Sequence, residues 1–172
     1  MNHIIEQTRK ELLSFCTGEP IIATLCNRSE NLEEYHLLIY VRSISDFVPT
    51  YVQSIQLHFL LTANYPYEPP KVKHKTNLFH PNFSASSGEW ADNAVRQYET
   101  IEDYLLRLIR VLQFKEINAD KVANRNAMAW YNKRLDSGLF PTDRINYNAK
   151  PRITIKNINN VLDISRRFEV DL

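Results

Sequence analysis

The sequence has little cysteine and little glycine, and it has no excess of either charge. Its 172 residues include three glycines and two cysteines, Cys16 and Cys26, which we expect to be small buried core residues. Two cysteines far from any histidine pair exclude a disulfide framework and a zinc site. With 21 basic against 20 acidic residues, the chain has no electrostatic signature for nucleic acid or an anionic membrane. We therefore expect no metal, nucleic acid or membrane among its ligands.

Long hydrophobic runs are also missing. Residues 1–15 carry Glu6, Arg9, Lys10 and Glu11 inside an apolar pattern, which excludes a secretory signal there. No later run of apolar residues could span a bilayer. Hydrophobic residues make up 44% of the chain, which is ordinary for a folded globular protein. We expect one main domain, located in the cytoplasm.

Periodicity predicts a helix followed by a sheet. Apolar residues of segment 4–15 recur every three or four positions, as on one face of an α-helix. Runs rich in β-branched and alternating apolar residues predict four strands. These strands lie at 21–26, 35–44, 54–62 and 71–75. Prolines between the third and fourth strands interrupt regular structure there.

Residues 76–99 show no sustained period of either kind. An irregular stretch of this length in a compact domain is more often functional than accidental, so we expect the site there. The element order predicts an α+β domain. It would contain an N-terminal helix, a four-stranded antiparallel meander, an active-site loop, and two or more C-terminal helices.

Two helices are predicted after the irregular stretch. The first begins with a capping box, in which Thr100 is the N-cap and Asp103 the N3 residue, and it runs to about residue 114. Its apolar stripe predicts that Arg107 and Arg110 face outward. The second helix is predicted to extend from 119 to 135.

Three short motifs follow one another between residues 64 and 91. They are Asn-Tyr-Pro-Tyr-Glu-Pro-Pro at 64–70, His-Pro-Asn at 80–82 and Gly-Glu-Trp-Ala at 88–91. In wording and spacing, these motifs resemble the ubiquitin-conjugating enzyme family, in which a Gly-x-x-Cys segment supplies the nucleophile. The resemblance covers roughly residues 1 to 140. Here Ala91 occupies the place of that cysteine.

The resemblance implies a ubiquitin-like-protein conjugating enzyme. In an active form, Cys at position 91 would accept a ubiquitin-like protein from an activating enzyme as a thioester, and an amine of a target protein would then attack it. Asn82 would either donate to the oxyanion or hold the active-site loop. His80 and Pro81 would shape the site, and Asp120 is a candidate for easing deprotonation of the amine. No cofactor is implied.

Partner surfaces and the tail follow from the same resemblance. Arg9 and Lys10 on the first helix would face the activating enzyme, although both can equally be solvated surface charges, and Tyr67 would lie where ligase loops dock. Residues 1–140 would form the conjugating domain. Residues 141–172, with a predicted strand at 152–156 followed by a helix, would be a divergent tail packed on the domain or on a partner.

Ala91 leaves two explanations open. It is either a natural feature of a non-catalytic family member that binds a ubiquitin-like protein, or a Cys→Ala substitution that prevents turnover. The divergence around an intact His-Pro-Asn triplet resembles the prokaryotic branch of the family, whose members occur in antiphage defence systems. RWD domains share the Tyr-Pro loop but lack the triplet, and an unrelated α+β interaction domain would carry it only as a turn.

Overall fold

The computed structural model describes residues 3–144 and shows an α+β architecture, as predicted. The predicted strand and helix beyond residue 150 lie outside the described residues. The elements follow in chain order: α1 His3–Phe15, β1 Thr17–Gly18, β2 Ile21–Arg28, β3 Leu32–Ile39, β4 Ser43–Ile44, β5 Tyr51–Val52, β6 Ile55–Thr62, β7 Lys71–His74, α2 Ile101–Leu112 and α3 Arg125–Asn132.

One antiparallel sheet contains the predicted four-stranded meander. Its strand order is β1-β2-β3-β6-β7, so the two-residue β1 extends the four longer strands to five. The strand predicted at 35–44 ends at Ile39. Ser43 and Ile44 pair instead with β5 in a separate ribbon, where the Ser43 hydroxyl donates to the carbonyl of Leu112 (2.7 Å). This bond ties the ribbon to the end of α2.

The main core lies between one face of the sheet and helices α1 and α2. Alternate residues of β6 point into it, and α2 contributes a broad apolar stripe. Cys16 belongs to this core, whereas Cys26 is exposed, so its predicted burial is wrong. The register of β2 shifts between Leu25 and Asn27, and the strand is exposed from there to its end.

The predicted capping box at the start of α2 is confirmed. The Thr100 hydroxyl accepts from the Asp103 N–H (3.1 Å), and the Thr100 N–H donates to the Asp103 carboxylate (3.2 Å). We expect Thr100→Ala to lower the free energy of unfolding by about 1 kcal/mol, measured by urea denaturation. Thr142→Ala, at an exposed threonine outside the helices, is the control. Equal unfolding midpoints for the two variants would contradict the capping contribution.

Two predictions about the C-terminal helices are wrong. Arg107 is fully buried rather than facing outward. The helix predicted at 119–135 covers only Arg125–Asn132, with Asn124 as its N-cap. The helix starts late because the backbone of 118–124 makes hydrogen bonds to residues 81 and 82 instead of helical ones.

A second, smaller aromatic core joins α3 to the ribbon. Its buried members are Ile44, Phe114 and Trp130, with Phe140 packed against them. The Trp130 ring packs in this core, and its indole N–H donates to the carbonyl of Phe47 (2.7 Å). Both contacts hold α3 in place. Within residues 3–144, no helix is long and apolar enough to cross a membrane.

Candidate active site

His80 is fully buried beneath the irregular stretch. Its Nε2–H donates to the carbonyl of Val111 (2.8 Å), and its Nδ1 accepts from the Asn82 N–H (3.1 Å). This pair of bonds requires the neutral ring. Burial lowers the pKa of His80 to about 3, although the bond to Val111 opposes the shift. The ring therefore joins the active-site segment to the end of α2 as a neutral structural group.

Asn82 and Pro81 hold the loop that precedes α3. Both amide hydrogens of Asn82 are used, one on the carbonyl of Asn118 (2.6 Å) and one on that of Lys121 (2.8 Å). Its side-chain oxygen accepts from the Asn118 N–H (3.0 Å). Further along the same loop, the N–H groups of Ala123 and Asn124 both donate to the Pro81 carbonyl. Of the two roles predicted for Asn82, this geometry supports loop holding.

Position 91 lies beside the triplet 80–82, which forms the buried floor of the candidate site. The Ala91 N–H donates to the Asn82 carbonyl (2.9 Å), and the Ala91 side chain is exposed. A tight turn precedes it, in which Gly88 has φ +74°; an added Cβ would lie 3.1 Å from the carbonyl oxygen of His74. Glycine is therefore required here, and the turn brings residue 91 back to the His-Pro-Asn triplet.

The segment 92–99 follows position 91 without regular structure and wraps around Arg107. The Arg107 guanidinium donates to the backbone carbonyls of Asp92 and Ala94, both at 2.8 Å, and to both carboxylate oxygens of Glu99. An exposed ion pair, Arg96 to Glu116 (2.5 Å), joins this segment to the loop after α2. Two loops thus flank position 91.

Asp120 lies in the second of these loops. Its side chain is exposed. Its N–H donates to the side-chain oxygen of Asn118 (3.0 Å) instead of making a helical hydrogen bond. The neighbouring residue 121 is the one whose carbonyl binds Asn82. Asp120 therefore lies on the loop that Asn82 holds, and its role in deprotonation stays a prediction.

Comparisons with known proteins identify the family of this chain. The sequence model of the family described as "Ubiquitin-conjugating enzyme" matches residues 9–137. The chain belongs to the ubiquitin-conjugating enzyme family. Among solved structures, human ubiquitin-conjugating enzyme E2 G1 is similar at 20% identity and a TM-score of 0.48, covering 64% of this chain and 93% of that one. No curated protein matches the chain.

The three partner-facing residues predicted for this conjugating-enzyme domain are in different environments. Arg9 is mostly covered, and its guanidinium pairs with the buried carboxylate of Glu33 (2.6 Å), so its charge is used inside the domain. Lys10 on the same helix is exposed. Tyr67 is 93% exposed at the tip of the proline loop. Lys10 and Tyr67 are therefore available to partners of a conjugating enzyme, whereas Arg9 is largely not.

Sequence reasoning missed Arg107, which contacts the segment that follows position 91. The signal was its spacing: position 107 is three residues after Tyr104 and four before Val111, on the buried face of α2. Its charge alone suggested exposure. Glu99 and Asp92, which neutralise that charge, lie in the irregular segment, where periodicity gives no orientation.

Proposed function

We propose that this protein is a conjugating enzyme for a ubiquitin-like protein whose active form carries Cys at position 91. That thiol takes the carboxyl terminus of the ubiquitin-like protein from an activating enzyme, and an amine of a target protein then receives it. As written, Ala91 leaves a site that binds without accepting the protein covalently. The observation that carries the proposal is an exposed residue 91 hydrogen-bonded to Asn82 of a family-type His-Pro-Asn triplet.

The contacts support distinct proposed roles for the residues of this site. His80 and Pro81 anchor the floor, and Asn82 holds the loop that carries Asp120, which would receive or orient the incoming amine. His80 cannot serve as a general base near neutral pH, because burial keeps the pKa of its ring far below that range. Asp120, an exposed carboxylate on the loop that Asn82 holds, is the candidate for that role.

The wider setting proposed here is a prokaryotic conjugation system, possessing its own activating enzyme and ubiquitin-like protein and acting in the cytoplasm against phage. The proposal rests on the divergence of the segment after position 91 from the usual Trp-Ser-Pro-Ala wording of the family. Lys10 and Tyr67 would face the activating enzyme and a ligase. Residues 1–140 would form the conjugating domain.

The tail from 141 to 172 would pack on that domain or on a partner. Its described beginning supports the first alternative. The Asp143 carboxylate accepts from the Arg42 guanidinium (3.0 Å), and the Asp143 carbonyl accepts from the side chain of Gln113 (3.0 Å). These bonds connect the start of the tail to the ribbon and to the end of α2.

A second candidate function is that of a naturally non-catalytic binding module. Ala91 itself favours this alternative, since an alanine in that exposed place has neither the nucleophilicity nor the leaving ability of a thiolate. Such a module would position a ubiquitin-like protein for an active partner enzyme. The two candidates share the fold and the binding partners, and they differ in what a thiol at position 91 would do.

Installing that thiol decides between them. Ala91→Cys is combined with Cys26→Ser, which removes the exposed native thiol, and incubated with ATP, the cognate activating enzyme and its ubiquitin-like protein. We expect an adduct on a non-reducing gel that is lost with reductant and absent from the Cys26→Ser control with Ala91. Binding of the ubiquitin-like protein without any adduct would instead establish the non-catalytic module.

A further inference from the structure

A fully buried arginine in the middle of α2 holds the segment that comes directly after position 91. Arg107 donates through Nη1 to the Asp92 carbonyl and through Nη2 to the Ala94 carbonyl, and it binds the Glu99 carboxylate at 2.7 and 3.0 Å. Four hydrogen bonds from one guanidinium reach three residues of segment 92–99. A planar fork of donors is what such a set of acceptors requires.

The surroundings of Arg107 make this arrangement rigid and electrically balanced. Its guanidinium lies over the rings of Trp90 (4.8 Å) and Tyr104 (5.0 Å). Although burial opposes ionisation of Glu99, the hydrogen bonds and charge of Arg107 lower the pKa of that carboxyl. The Asp92 Oδ2 atom is buried without a hydrogen-bond partner, 3.6 Å from Arg107 Nη1. Arg107, together with the exposed Arg96 at 3.7 Å, therefore compensates the charge of a carboxylate adjacent to position 91.

The anchor lies on a well-defined element, whereas the segment it holds has no regular structure. Helix α2 is closed at its start by the capping box and buried along its stripe. Segment 92–99 lacks ladder or helix bonds, so its carbonyls depend on partners supplied from elsewhere. Asp92 is covalently next to residue 91. The position of the Asp92 carbonyl therefore fixes the backbone orientation of residue 91 relative to Asn82.

We propose that Arg107 is a positioning residue for the transfer reaction, which holds residue 91 in one orientation through the carbonyls of Asp92 and Ala94. The inference rests on the proposed function, because it assigns a role in transfer to a residue that touches neither the thioester nor the amine. A purely structural arginine would affect folding alone. A positioning arginine affects the reactivity of residue 91 in a domain that remains folded.

The variants separate positioning from folding in a Cys26→Ser, Ala91→Cys background. The double change Arg107→Met, Glu99→Leu removes both charges of the buried pair, and apolar replacement of such a pair is often tolerated by the fold. Arg107→Lys keeps the charge but lacks the planar fork. Glu99→Gln keeps both carbonyl bonds of the arginine. Arg110→Met, at the exposed arginine one turn later, is the matched control.

The first measurement needs no partner protein. The rate of iodoacetamide alkylation of the cysteine at 91 is followed against pH. The charged residues on the segments next to position 91 are the acids Glu89, Asp92, Glu99, Glu116 and Asp120 and the bases Arg96 and Lys121, with Arg107 on α2 beneath them. The double variant loses one cation and one anion. Asp92, which is covalently next to residue 91, loses the cation 3.6 Å from its carboxylate, so we expect the alkylation midpoint to rise by about half a pH unit or more.

The second measurement is charging by the activating enzyme. We expect kcat to fall about tenfold or more in the double variant and in Arg107→Lys, with KM unchanged within about twofold, because the partner surface on α1 is untouched. Glu99→Gln and Arg110→Met should keep kcat within the same twofold. A folded double variant with an unchanged alkylation profile, or full kcat with lysine at 107, would overturn the proposal. If the parent is never charged, the proposed function fails and alkylation alone decides the role of Arg107.

Discussion

Acidification from pH 6.5 to pH 4.5 is expected to lower the free energy of unfolding by about 2 kcal/mol through His80 alone. In the unfolded chain this imidazole takes up a proton near its ordinary pKa of 6.5, whereas in the folded protein burial lowers the pKa to about 3. Between these two values the unfolded state binds more protons. Stability therefore falls with a slope that approaches about 1.4 kcal/mol for each pH unit well below 6.5, and the His80 contribution levels off above about pH 7.5.

The test compares the protein with His80→Asn, which retains a side-chain acceptor for the Asn82 N–H. Urea unfolding at pH 7, 5.5 and 4.5 should show a steeper loss for the parent, and the difference between the two slopes is the His80 contribution. Burial also lowers the pKa of His74 and His36, which contribute equally to both proteins. His74→Gln serves as the control for those groups. Parallel slopes for parent and His80→Asn would show that His80 titrates normally in the folded protein.

Asn82→Ala is expected to reduce transfer from a cysteine at 91 by about two orders of magnitude, which corresponds to about 3 kcal/mol. The physical reason is the loss of three hydrogen bonds between Asn82 and residues 118 and 121. Without them the loop carrying Asp120 is held at its end alone, by the bonds from Ala123 and Asn124 to the Pro81 carbonyl, and the part around Asp120 is released. Discharge of the preformed thioester to free lysine in a single turnover measures the effect independently of the activating enzyme.

Hydrogen exchange identifies the origin of that loss. If Asn82 acts by holding the loop, amides of residues 118–123 should exchange faster in Asn82→Ala, in step with the fall in rate. Asn93→Ala is the matched control, because this nearby asparagine makes one side-chain bond, to the Pro70 carbonyl (3.2 Å). A large fall in rate with unchanged exchange would contradict loop holding and would support a direct donation by the amide to the oxyanion.

Local signals in the sequence were sufficient for most of the fold. The capping box and apolar stripe predicted α2 almost to the residue, and alternation predicted the four longer strands because one face of the sheet is buried. The ribbon of β4 and β5 could not be predicted in this way. Its two-residue strands are too short to show a period, and they are held by a bond from Ser43 to the end of α2.

The sequence motifs of the candidate site could be recognised, but the hydrogen bonds that hold the site residues in place could not be predicted. The motifs at 80–82 and 88–91 are local features of the sequence, and their resemblance to the family predicted a site at position 91. The late start of α3 and the burial of Arg107 both depend on partners far along the chain: Asn82 for the former, Glu99 and two backbone carbonyls for the latter. Periodicity carries no information about such long-range hydrogen bonds.

Exposure of the side chain at position 91 separates the chemistry of this protein from its folding. Ala91 is bonded to Asn82 through its backbone N–H, a donor that any residue other than proline can supply. Exchange between alanine and cysteine should therefore leave the docking surfaces intact. A chain with alanine there is expected to act as a decoy, occupying the activating enzyme without turnover and lowering conjugation in proportion to its abundance.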